Sequence, residues 1–149
     1  MKKLLSLFVV LVCIISLAAC SGTSNQKETK PITCIDDVDW KYYCSGEAKS
    51  RAWYYYNNLY DVDISYSGIS VNKVEKDRNG IYTCYGKVNG KDNYGNRCSA
   101  DFSVTCEVDL EMAQKIIDNG GVGENPNDND PYSECVEGID FDYGSLRKG

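Results

Sequence analysis

A helical period gives way to a strand period early in the chain. Ala48, Ala52, Tyr55/Tyr56 and Leu59 recur on one helical face, and Trp53 and Tyr60 widen it. Lys49, Ser50, Asn57 and Asn58 lie off that face. The spacing predicts a helix over 45–60, with Ser45 as N-cap and Glu47 near the positive end of the dipole. From Val62 the period falls to two: Val62, Ile64 and Tyr66 alternate, then Ile69 and Val71 alternate in the opposite phase. The phase flip at Ser67-Gly68 predicts a bulge or bend.

Asn79-Gly80 predicts a hairpin turn, because both positions of such a turn favour positive φ. A second strand is expected over 81–88. The turn-rich run 92–96 then leads into a third strand, where Cys98, Ala100, Phe102, Val104, Cys106 and Val108 alternate with polar residues. That alternation means one buried face and one wet face. Asp109 reads as the N-cap of a short helix over 110–118. Leu110, Ala113, Ile116 and Ile117 form its apolar face, and Gly120 its stop. Between Lys115 and Arg147 stand eight Asp/Glu and no Lys or Arg, so the tail from about 119 reads as irregular. The fold class expected is α+β: an N-terminal helix on an antiparallel three- to four-stranded meander, a short second helix and an acidic tail, forming one domain over 34–149.

Ahead of that domain, Met1-Lys2-Lys3 is a short basic segment, followed by an uncharged apolar run over 4–17. As a helix that run would extend ~21 Å at ~1.5 Å per residue, short of a ~30 Å hydrocarbon core. It fits the apolar core of a signal peptide. Leu17-Ala18-Ala19-Cys20 resembles the lipobox of bacterial lipoproteins at all four positions. The resemblance implies a signal peptide over 1–19, cut before Cys20, with diacylglycerol and further acyl chains such as palmitate on Cys20. The chain would then be anchored to a cell membrane on its extracytoplasmic face. Residues 21–33 (SGTSNQKETKPIT) hold only Ile32 as a large apolar residue. They read, with Cys20, as a flexible tether over 20–33 reaching ~20 Å on average.

Composition narrows the chemistry. The 149 residues contain no His, 16 Lys/Arg and 22 Asp/Glu. Without imidazole there is no Ser-His-Asp triad, Cys-His pair or His-ligated zinc. The acidic balance argues against nucleic acid, which needs clustered basic residues. With Cys13 discarded and Cys20 acylated, six cysteines remain, an even number that reads as three disulfides in an exported chain. Zinc-type C-x₂₋₄-C and redox C-x-x-C spacings are absent. A loop centred on Tyr94-Gly95 places Cys84 opposite residues 104 to 106. Cys84–Cys106 is therefore the expected cross-strand bridge, with Cys34–Cys44 bracing the helix entry and Cys98–Cys135 fastening the tail.

The segment YTCYGKVNGKDNYGNRCSADFSVTC is similar to the strand, N-x-[FY]-G turn and F-x-V strand of small meander domains in many surface lipoproteins. The resemblance covers about 47–109 and implies a cystatin-like roll, a helix held in a curved antiparallel sheet. It carries no catalytic motif. The Q-x-V-x-G hairpin of cystatin-type protease inhibitors is missing, and the cysteines and acidic tail depart from the pattern.

Candidate binding residues are aromatic. Tyr54 lies most nearly off the apolar face and is the ring expected to be exposed; Tyr42 and Tyr43, beside Cys44, are the others. Such rings stack on sugars or anchor protein partners. Oxygen ligands at Glu124–Asp130 suit Ca²⁺, but an EF-hand frame starting at Asn125 puts Asp130 where Gly belongs and Val136 where Glu belongs, so no metal or cofactor is assigned. Asp61/Asp63 and Asp101/Glu107 fall on wet strand faces, whereas glycoside hydrolysis by paired carboxylates needs a buried carboxyl as general acid, and the sequence offers none. The expected function is a non-catalytic surface binding module for a protein or envelope glycan. The alternatives are a small cell-envelope enzyme using carboxylates and a solute-binding accessory protein.

Overall fold

The computed structural model describes residues 31–60, 62–121 and 130–149. The expected signal peptide over 1–19, Cys20, nearly all of the expected tether, Asp61 and all but Asp130 of the Ca²⁺ candidates lie outside them. The long helix α1 runs over Trp40–Leu59. The strands are β1 (Val62–Asp63), β2 (Ile69–Lys76), β3 (Tyr82–Asp92), β4 (Arg97–Val108), β5 (Val136–Tyr143) and β6 (Arg147–Lys148), with the short helix α2 (Leu110–Asp118) after β4. They make one antiparallel sheet in which β3 pairs with both β1 and β2, and β4 with both β5 and β6. The fold is α+β, with α1 packed across β2 to β5.

Alternation builds the sheet as expected. Tyr82, Cys84, Gly86 and Val88 of β3, and Ala100, Phe102, Val104 and Cys106 of β4, are all buried. The core also takes Cys44, Ala48, Ala52 and Tyr56 from α1, Ile64, Ala113 from α2, and Tyr132 from the tail. The β2–β3 hairpin turns at Gly80, whose φ is +86°. Asp77 closes it, accepting the backbone N–H groups of Asn79 and Ile81. Residues 92–96 form the next turn, with Gly95 at φ +82°. Asp109 caps α2 by accepting the Met112 N–H at 2.8 Å.

Four expectations are corrected. First, α1 begins at Trp40, capped by Asp39, which accepts the Tyr42 N–H. Ser45 lies inside the helix, where its hydroxyl donates to the Lys41 carbonyl at 2.6 Å. Trp40, Tyr43 and Cys44 are buried and continue the inward face by a further turn. Leu59, counted on that face, is 65% exposed.

Second, the strand expected from Val62 is interrupted. Tyr66–Gly68 forms a 3₁₀ turn, which accounts for the phase flip, and the bulge falls later, between Val71 and Lys73.

Third, the tail is structured. After a 3₁₀ turn at Pro131–Cys135, β5 pairs along β4 from Val136↔Val108 to Tyr143↔Phe102.

Fourth, the expected disulfide bracing is not seen: among the described residues Cys34, Cys44, Cys84, Cys98, Cys106 and Cys135 all stand as free thiols in this structure. For Cys84–Cys106 the reason is register. Cys84 pairs with Val104, and Cys106 with Tyr82, so the two cysteines stand diagonally. Diagonal neighbours have Cβ atoms well beyond the ~3.8 Å that a disulfide needs. Cys34 is exposed while Cys44 turns inward and is fully buried. Cys98 lies near the start of β4, opposite Lys148. Cys135 adjoins the other end of that strand, its carbonyl accepting the Asp109 N–H at 2.7 Å. The length of β4 separates the pair, roughly 30 Å at ~3.3 Å per residue.

Candidate functional site

The N-terminal half of α1 crosses above the edge strand β2, and the chain returns beside it at Asp130. Between them opens a groove of about 850 Å³ lined by Tyr42, Tyr43, Glu47, Lys49, Tyr66 and Asp130, with Ile69 and Val71 of β2 and several serines. The local reason is the 3₁₀ turn, which swings Tyr66 out of the strand alternation that would have buried it. Tyr66 is 46% exposed and Tyr42 51%.

The lining is held by its own contacts. Tyr43 donates its phenol to the Asp130 carboxylate at 2.5 Å, and Asp130 also accepts the Tyr132 N–H at 3.1 Å. Tyr42 meets Tyr43 edge to face at 5.2 Å between centroids. The Lys49 ammonium lies 4.6 Å from the Tyr66 ring centroid, within range of a cation–π contact. The Glu47 carboxylate accepts Arg51 Nε at 2.7 Å. The groove therefore presents aromatic rings, hydroxyls, one ammonium and two carboxylates. These groups can stack, donate and accept, which suits capture of a polar ligand with flat or ring-shaped parts.

Of the expected residues, Tyr42 and Tyr43 come together here. Tyr54 is 66% exposed, as expected, but does not line the groove. Tyr66 and Lys49 were not singled out from sequence, because alternation placed Tyr66 within a strand. Asp130, considered only as a calcium ligand, instead holds Tyr43. Among the described residues no group of three or more Cys, Asp or Glu is arranged to hold a metal ion. Asp63, Asp101 and Glu107 are exposed, and Asp101 pairs with Arg147.

A second aromatic assembly closes the far part of α1. Tyr55 stacks on Tyr143 at 3.9 Å, and Tyr143 on Phe141 at 5.9 Å. The Arg51 guanidinium lies 5.5 Å from the Phe141 centroid. These rings fasten β5 to α1. No helix among the described residues is long and apolar enough to cross a membrane. No protein-family model, curated protein or solved structure matches the chain.

Proposed function

We propose that the chain is a lipid-anchored, extracytoplasmic surface lipoprotein whose small domain binds a partner by contact rather than by bond chemistry. The location rests on Leu17-Ala18-Ala19-Cys20 placed directly after an uncharged apolar run. Multiple acyl chains on Cys20 would hold the protein stably where one would not. The helix laid on an antiparallel meander supports the resemblance to cystatin-like rolls. The observation that carries the binding reading is the groove beside α1, walled by Tyr42 and Tyr66. An enzyme using carboxylates would need an acid with a raised pKa, and the exposure of Asp63, Asp101 and Glu107 does not favour that role.

Two measurements test the reading. Cells fed a clickable palmitate analogue should label the wild-type chain and not the Cys20→Ala variant; equal labelling of both refutes the anchor. The purified full chain should bind envelope fractions of its host saturably, and combined Tyr42→Ala and Tyr66→Ala substitution should weaken that binding by about tenfold or more. Unchanged binding by the double variant removes the groove from the account.

A further inference from the structure

Three of the free thiols meet in the core. Cys44 of α1, Cys84 of β3 and Cys106 of β4 are each 0% exposed. The Cys106 thiol donates to the Cys44 carbonyl at 3.9 Å. Cys44 and Cys84 are also the nearest groups that perturb its thiol. Cys106 is thus the hub of a trio, and a hub can bond to only one neighbour.

From this arrangement we propose that Cys106 closes a disulfide with Cys44, tying α1 to the central strand β4 and leaving Cys84 a thiol. The register decides between the two neighbours. Cys84 and Cys106 are diagonal on paired strands, and each strand is hydrogen-bonded on both sides. Neither strand can slide to bring those Cβ atoms to bonding distance. Cys44 belongs to the other layer, and α1 meets the sheet through side chains rather than a hydrogen-bond ladder, so the helix can shift where the paired strands cannot. This pairing differs from both partners that spacing suggested for these residues. It does not depend on the lipid anchor or the groove.

The oxidant is a disulfide, either a small molecule or the disulfide form of an exported oxidoreductase. The Cys106 sulfur, having given up its proton, attacks one sulfur of the oxidant, and the oxidant's S–S bond breaks to release one thiol. The Cys44 sulfur then displaces the second oxidant thiol from the mixed disulfide. Two protein S–H bonds are replaced by one S–S bond, and the two departing thiols carry away two protons and two electrons. Contact with Cys44, together with burial, pushes the Cys106 thiol up to about 12. The reaction is therefore slow in the closed protein and proceeds when α1 lifts locally or while the chain folds.

The test uses the full chain and glutathione disulfide, with folding carried out in its presence. Peptide mapping after alkylation should recover the Cys44 and Cys106 peptides joined, and Cys84 alkylated. The thermal midpoint should rise by roughly 10 °C or more over the fully reduced chain. Cys84→Ala should keep that rise and Cys44→Ala should lose it. A Cys84–Cys106 link, or a trio still fully alkylatable after folding in the oxidant, overturns the proposal. The map of the wild-type chain decides the pairing even where a variant fails to fold.

Discussion

Asp92 shows how much a single carboxylate can organise. Its oxygens accept the backbone N–H groups of Tyr94 at 3.0 Å and Asn96 at 2.9 Å, and the Asn96 amide at 3.1 Å. Lys148 of β6 lies 3.0 Å away. The Asn96 side chain and these neighbours hold its carboxyl at about 2, below its ordinary 3.8. A carboxylate with a depressed folded pKa contributes stability that is complete above the unfolded value and drains as pH falls from about 4 toward 2. Asp92→Ala should therefore lower the urea midpoint clearly at pH 7, and the gap to wild type should narrow at pH 2–3. A gap equally wide at both pH values would contradict this. Tyr56 has the opposite sign. Burial pushes its phenol far above the ordinary range, and its hydroxyl donates to the Gly144 carbonyl at 2.7 Å. A raised pKa leaves the stability intact below about 10 and loses it only as pH climbs further. Tyr56→Phe should cost about 1 kcal/mol at pH 7, read from denaturant unfolding.

Elements with strong local chemistry were legible in the sequence. Asp109 and the apolar spacing after it mark α2 with its observed ends, and the alternation from Cys98 to Val108 marks β4 within one residue. The start of α1 was not, because Ser45 is a good cap taken in isolation, while tertiary burial of Trp40 and Tyr43 extends the helix to Asp39. β5 was missed for a different reason. Ile139, Phe141 and Tyr143 do alternate with Asp140 and Asp142, but a bulge opposite Thr105/Cys106 breaks the phase, and the acidic residues dominate the composition. Tyr42 and Tyr43, picked out by their place beside Cys44, both line the groove, Tyr42 exposed and Tyr43 buried, whereas Tyr66 depended on a turn that alternation concealed. Within the sheet, Gly86 opposes Phe102. A Cβ there would sit 2.3 Å from the Phe102 ring and 2.4 Å from the Ser70 carbonyl oxygen. Gly86→Ala should destabilise by about 1–3 kcal/mol, measured by denaturant unfolding. A variant as stable as wild type would mean that β2 and the Phe102 ring yield freely.

The whole molecule depends on its tail. Tyr132, Cys135 and Val136 are core residues, and Tyr143 supports both Tyr55 and Tyr56. A chain ending at residue 130 would leave β4 unpaired along one edge and uncover the Tyr56 hydroxyl. It should lose cooperative thermal unfolding, visible by near-ultraviolet circular dichroism; a sharp transition retained by that truncation would show that the first three long strands and α1 suffice.

The pairing of β5 with β4 also sets an order of events. A polypeptide made from its N-terminus presents α1 and the three-strand meander first, yet the β4 edge stays bare until residues 136–148 have followed. During that interval the unpaired edge is open to any extended peptide nearby. The fold is completed by a late and sequence-distant contact, a kind of closure that slows folding, so β5 acts as its timekeeper.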